Sequence, residues 1–469
     1  LRSARFIIAP LAVALIAAAG CSDTAASDDP LIITEPDQGG NPDMSDMSAA
    51  PDISELEMSV VPGGEGDPCI ADEGCDVGLR CELSAPGVGV CASAPPARSF
   101  EDLLQTLGAD CSPMRGPETG QGAEWSWTFT LPADAANFLT LPFVRSGVVT
   151  PVRLETPTGA VALMADYRHQ NTRIQELEPN PGLGHGSYGA VSYDWPLMFP
   201  YAPQFAGLVT PGGTYKLTVA SNDTPCLIML PDKAETTTLD LNLYFVGTTG
   251  LSAANAADHP DLQAALARMR EIYARGGVTL GTIRYIDAPA EAVERYAILR
   301  DDEDIARLTA YGAAYATLAE NLSVDVFLVR DILIQGGAVL GASGGLPGAA
   351  GMHGSGDNGL VFDTTALGSD NGLIAHIMAH EIGHYLGLRH TTEVIKGLGV
   401  PQEPEFEQAF GLSDPLDDTP ECASPARLGT RCPDYTNLMF PAAPTAADGV
   451  DPTLSAAQGA VLRSSPLTR

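Results

Sequence analysis

The segment His380-Glu381-Ile382-Gly383-His384-Tyr385-Leu386-Gly387-Leu388-Arg389-His390 constrains this chain more than any other. Leu373, Ile374, Ile377 and Met378 lead into it as a helical apolar stripe. His380 and His384 are four residues apart, so a helix sets both imidazoles on one face. Two ring nitrogens at about 2.0–2.1 Å can then meet one zinc ion. Gly387 can end the helix in a left-handed conformation and turn the chain back, delivering His390 as third ligand. Three neutral ligands leave the ion its charge, which lowers the pKa of bound water toward about 7. Glu381, one step round the helix, can take that water's proton and pass it to a leaving amine. A structural zinc or a plain core helix is the competing reading. Three ligands with an adjacent Glu describe an open site instead.

The chain has 469 residues, with 25 Lys+Arg against 59 Asp+Glu and a formal charge of −34. At roughly 100–200 residues per domain, that length makes two to four domains. Hydrophobic residues are 45% and charged ones 18%, so most of the chain is expected to fold. The acidity excludes an electrostatic nucleic-acid binder, which needs a basic stripe to displace phosphate counterions. It also argues against a polybasic grip on anionic lipid.

Arg2 and Arg5 precede an apolar run from Phe6 to Ala19, too short to span a bilayer comfortably and broken by Pro10. Residues 1–20 therefore read as an export signal. Ala18-Ala19-Gly20-Cys21 resembles a bacterial lipobox, with Cys21 as the lipidated residue. An ordinary cleaved signal with an incidental Cys21 is the alternative. Nine cysteines become an even eight once Cys21 is set aside, as expected of four disulfides in an exported chain. The expected location is the bacterial outer membrane or cell surface by a lipid anchor, or the medium.

Residues 21–66 read as a disordered linker; 22–68 hold twelve acidic residues and no Lys or Arg. Residues 67–98 form a small disulfide-rich module. Its four cysteines, Cys69, Cys75, Cys81 and Cys91, pair among themselves in one of three ways. With no His and no C-x-x-C knuckles, the module does not suit zinc. Residues 99–238 read as a β-sandwich. Trp125, Trp127, Phe129 and Leu131 alternate with polar residues, and later short runs are separated by Gly/Pro turns. Cys111 and Cys226 flank this region and can close it as a pair.

From Leu239 the pattern becomes α/β. Leu239, Leu241, Leu243 and Phe245 alternate as a strand. Asp258 and Pro260 open a helix with the apolar face Leu262, Ala265, Leu266, Met269, Ile272 and Tyr273, closing at Gly276-Gly277. Strands are expected at 278–286 and 324–329. The Gly-rich run 336–359 is long for a loop, and long loops are commonly functional.

With His380, Glu381, His384, Gly387 and His390 in place, the segment resembles the metzincin zinc metalloproteases. Asn437-Leu438-Met439-Phe440-Pro441 is similar to their Met-turn, with Met439 as its methionine. Asp417-Asp418-Thr419-Pro420, the Cys422/Cys432 pair and the His390-Thr391 junction resemble the pappalysin-like branch. The resemblance covers 239–469, about half the chain. It implies a multidomain protein whose α/β (α+β) catalytic domain has a twisted sheet carrying the active-site helix. It also implies a secreted or surface zinc endopeptidase acting on protein or peptide substrates; separately, the chain is expected to be a monomer that touches a membrane only through its anchor. An edge strand would pair with substrate, and Gly359-Leu360-Val361-Phe362 is the candidate. Calcium at Asp414, Asp417, Asp418 and Thr419 is implied as well, against the alternative of an acidic turn held by prolines. Cys422 and Cys432 are expected to form a disulfide. Many relatives carry Tyr where this chain has Pro441, which leaves oxyanion stabilisation to the zinc. The functional alternative is a surface binding or adhesion protein with a catalytically inert fold of this kind. A non-proteolytic zinc hydrolase is a third reading.

Overall fold

A computed structural model describes residues 68–69, 79–85, 88–93 and most of 108–468, the longest internal exception being 393–413. Cys21, Cys75, the signal segment and the linker lie outside the described residues. The chain divides into two compact units, 19–94 and the bulk of the protein from Pro95 to Arg469.

In the first unit three short strands, Pro68–Cys69, Val88–Ser93 and Leu79–Ala85, form an antiparallel sheet. Its register sets Cys81 directly opposite Cys91 and Cys69 opposite Gly89.

The second unit is mixed α/β with several sheets. Two six-stranded sheets come first. One is built on Gly122–Thr130, Thr214–Ser221 and Val149–Glu155, all antiparallel. The other is built on Ala135–Val144, which pairs with Cys226–Lys233 on one side and Leu197–Phe199 on the other. Trp127, Leu154, Tyr215 and Leu217 from the first sheet meet Phe138, Val144 and Phe199 from the second in one core. The disulfide Cys111–Cys226 ties the entry of this region to its last strand. Leu139, Leu141 and Phe143 point away from that core into another, shared with the C-terminal half. A strand buried on both faces reads as an almost continuous apolar run rather than an alternation, as Phe138 to Val144 does.

The C-terminal half holds a five-stranded sheet in the order Thr279–Asp287, Thr238–Val246, Ser323–Val329, Leu360–Asp363, Gly341–Ser343. The first four are parallel and the last is antiparallel. Gly359–Phe362, expected at the edge, is therefore not the edge. Leu360–Asp363 lies between two strands, because the Gly-rich run contributes Gly341–Ser343 outside it. Glycines hid that strand from the sequence, since β propensity is carried by branched and aromatic residues.

Side chains alternate across the sheet. Leu241, Leu243, Val326, Leu328 and Phe362 face one core with helices Pro260–Arg275 and Asn371–Tyr385. Tyr244, Phe327 and Val361 face the other, under helices Ala290–Tyr296 and Asp302–Thr309. The helix Pro260–Arg275 buries the six residues expected of it, and His259 caps it, the ring accepting from the Leu262 amide. It runs beside Asn371–Tyr385: Asn371 Nδ2 donates to Asp261 Oδ1 over 3.0 Å, and the Tyr273 hydroxyl donates to the Ala379 carbonyl over 2.8 Å.

Candidate metal centre

The helix Asn371–Tyr385 starts at Asp370, whose side chain accepts from the Leu373 amide at 2.9 Å. Every residue from Ile374 to Tyr385 is buried, so the expected stripe is in fact a helix enclosed all round. Gly387 ends it at φ +111°, a region open to glycine, and the Leu388 amide returns to the Gly383 carbonyl at 2.8 Å.

This turn brings His390 back over the helix. Its Nε2 lies 3.2 Å from Nε2 of His380 and 3.1 Å from Nε2 of His384. Nitrogens bound at about 2.0–2.1 Å to one tetrahedral ion stand about 3.3 Å apart, so the three positions fit a shared ion. The opposite ring nitrogens are occupied. His380 Nδ1 is 2.7 Å from the Leu438 carbonyl and His384 Nδ1 is 2.7 Å from the Leu388 carbonyl. A carbonyl only accepts, so each Nδ1 carries the hydrogen and each Nε2 presents a bare lone pair. Burial holds both imidazoles neutral, His384 down to about 3 and His380 also well below the ordinary histidine range. His380, His384 and His390 thus form a group able to hold a metal ion.

Glu381 is wholly buried, and neither carboxylate oxygen has a hydrogen-bond partner among the described residues. Burial pushes its carboxyl up to about 8. A dry, unpartnered carboxyl group beside three converging ring nitrogens is the arrangement a cation would relieve.

Met439 lies beneath, where a Cβ on Gly383 would come within 2.9 Å of its sulfur. The turn is fastened to the third histidine. The Thr391 amide donates to the Met439 carbonyl at 3.1 Å, and the Thr391 and Thr392 hydroxyls both donate to Asp434 Oδ2, at 2.7 and 2.6 Å. Cys422 and Cys432 form a disulfide, and the Cys422 amide donates to the Thr392 hydroxyl at 2.7 Å. Asp434 stands near these two sulfurs, but the bond between them removes both as metal ligands.

Of the four residues expected at a calcium site, two bond one another and a third caps the last helix. The Thr419 hydroxyl donates to Asp414, and Asp418 accepts from Ser455 Oγ at 2.7 Å and the Ala457 amide at 2.9 Å. Asp417 is exposed. Asp414 Oδ2 is buried without a hydrogen-bond partner among the described residues. The Asp414 amide donates to the His390 carbonyl at 2.8 Å, so the segment acts on the site through the backbone.

Several contributors carried no sequence signal. The Leu438 and Leu388 carbonyls act as backbone, and Asp434 meets its threonines across more than 40 residues. His376, one turn before His380, is buried with Nε2 unpartnered among the described residues, and burial lowers it to about 4. Its ring stacks on His380 at 6.4 Å between centroids.

No protein-family model and no curated protein matches the chain. Among solved structures, a Podospora anserina GH26-CBM35 β-(1,4)-mannanase overlaps 50% of each chain at 10% identity with a TM-score of 0.13. A carbohydrate esterase with divergent catalytic and non-catalytic binding functions overlaps 51% of this chain and 65% of its own at 12% identity, with a TM-score of 0.10. The overlap thus spans half to just under two thirds of those proteins, and neither likeness bears on the histidine cluster.

Proposed function

We propose that the protein is a zinc-dependent metalloendopeptidase of the metzincin kind, similar to the pappalysin-like branch. One observation carries the reading. Three Nε2 atoms converge at 3.1–3.2 Å while an unpartnered, buried Glu381 projects from the same helix. Bound zinc would supply Lewis-acid chemistry, polarising a carbonyl and acidifying water. The chain's own residues do the rest. His380, His384 and His390 hold the ion as neutral donors. Glu381 takes the proton of the attacking water and returns it to the departing amine. Its pKa near 8 without metal falls when a cation sits beside it, which leaves it ionised and able to accept. Met439 and the Leu438 carbonyl support the ligands from below.

The test is cleavage of a diverse peptide library by the full chain. Wild-type cleavage that is lost on chelation, restored by zinc and absent from Glu381→Gln supports an endopeptidase. A folded, zinc-loaded wild type that cuts nothing favours the binding-protein alternative. The export signal, the anchor at Cys21 and a surface location belong to the same proposal. Cys21→Ser should move the protein from membrane fraction to medium, and unchanged fractionation removes the anchor.

A further inference from the structure

The turn around Met439 is held from the last helix, Ala456–Arg463. Gln458 on that helix is fully buried and forms a two-way amide pair with Asn437. Asn437 Nδ2 donates to Gln458 Oε1 over 2.9 Å, and Gln458 Nε2 donates to Asn437 Oδ1 over 3.0 Å. Each oxygen takes a second bond. Gln458 Oε1 accepts from the Ser455 amide at 3.0 Å, and Asn437 Oδ1 accepts from the Met439 amide at 2.9 Å. The Asn437–Met439 bond folds the backbone into a tight side-chain turn. At its middle is Leu438, whose amide donates to the Thr453 carbonyl at 2.8 Å and whose carbonyl meets His380 Nδ1 at 2.7 Å.

We propose that Gln458 is a positioning residue of the metal centre, acting through Asn437 and the Leu438 carbonyl on the orientation of His380. This rests on the metal-centre reading above. The second nitrogen of a ligating histidine fixes its ring, and here the partner is a carbonyl whose direction the amide pair sets. Both side chains are buried, so breaking one bond strands a dry donor or acceptor and the turn must shift to satisfy it. Gln458 also completes the capping box with Ser455, so helix stabilisation is the rival role.

The experiment separates the two roles in the full chain. Gln458→Leu removes every bond of the pair, and Gln458→Glu keeps the shape and, read at a pH high enough to ionise its buried carboxyl, loses the donor to Asn437 Oδ1. Asp418→Ala removes the other cap of the same helix and touches neither Asn437 nor the turn. Zinc affinity is read by chelator competition, and the ligand field by the visible spectrum of the cobalt(II) form. Gln458→Leu should weaken zinc binding about tenfold or more and alter the cobalt bands, with Gln458→Glu moving the same way. Asp418→Ala should lower Tm yet keep its zinc Kd within about twofold, since it leaves the ligand supports in place. A folded Gln458→Leu with wild-type affinity and an unchanged cobalt spectrum overturns the proposal, as does equal weakening by Asp418→Ala. If Gln458→Leu does not fold, the same two readouts on Gln458→Glu decide. A wild type that binds no zinc overturns the metal-centre reading itself, which is a different result from wild-type and variant binding alike.

Discussion

The δ-nitrogens of His380 and His384 settle what their ε-nitrogens can do, because each is committed to a backbone carbonyl at 2.7 Å. His376 tests the selectivity of that logic. It lies one turn earlier on the same helix, buried and neutral, but its Nε2 is outside the converging group. His384→Ala should therefore reduce bound zinc from one per chain to nearly none, whereas His376→Ala should keep it, as read by metal analysis of dialysed protein. Equal loss in both would mean the ligand set is wrong. The convergence of His380, His384 and His390 was legible because spacing within one helix and its exit turn is local information. The partner of the far His380 nitrogen was not, since a carbonyl 58 residues away leaves no mark in residue type.

At the scale of elements, the Gly-rich run is where sequence reading and structure part most. It supplies the antiparallel strand Gly341–Ser343 and then folds against the end of the motif helix. The Gly348 amide donates to the Tyr385 carbonyl at 2.9 Å, and a Cβ on Gly348 would collide with the Tyr385 ring. The Tyr385 hydroxyl in turn donates to Asn358. Gly348→Ala should cost about 1–3 kcal/mol by urea unfolding, as overpacking of a filled site does, and a neutral result would mean the loop is not seated there. A second element carries a pH signature. At the helix Asp302–Thr309, Asp304 accepts from the Arg300 amide while its own amide donates to the Asp301 carboxylate. Burial raises the Asp304 carboxyl to about 6 from 3.8. The folded state then holds a proton that the unfolded state has released, so stability falls as pH rises from about 4 through about 6 and is level beyond. Asp304→Asn should remove that part of the slope in urea midpoints measured across this range. An identical slope would show that the group titrates normally.

Across the whole molecule, the apolar core under the motif helix is shared with the second β-sheet, through Leu139, Leu141, Phe143 and Ile228. The change of pattern at Leu239 marks a change of secondary structure, whereas the packing runs continuously across it. A fragment starting at 239 would expose apolar faces on the sheet and its helices. It is expected to bind hydrophobic dyes and self-associate, while a chain starting at 95 stays monomeric by light scattering. A monomeric, cooperatively folding 239–469 fragment would contradict the shared core. The Cys111–Cys226 disulfide closes the β region on itself across 115 residues. Its loss in a Cys111→Ala/Cys226→Ala variant should cost about 2–5 kcal/mol, as expected for a long closed loop. The two sheets facing each other were readable from alternation in Trp125–Leu131, but their second core was not. A strand buried on both faces shows no period, and nothing in Phe138–Val144 says which side meets which partner.

In the proposed function three imidazoles, and no other protein side chain, hold one zinc ion beside Glu381. Zinc K-edge X-ray absorption on the metal-loaded full chain reads this directly. Nitrogen scatterers are expected at about 2.0–2.1 Å with an imidazole signature from three histidines, leaving a position open to exchangeable solvent. Sulfur scattering at about 2.3 Å, or a closed shell of four protein ligands, would contradict it.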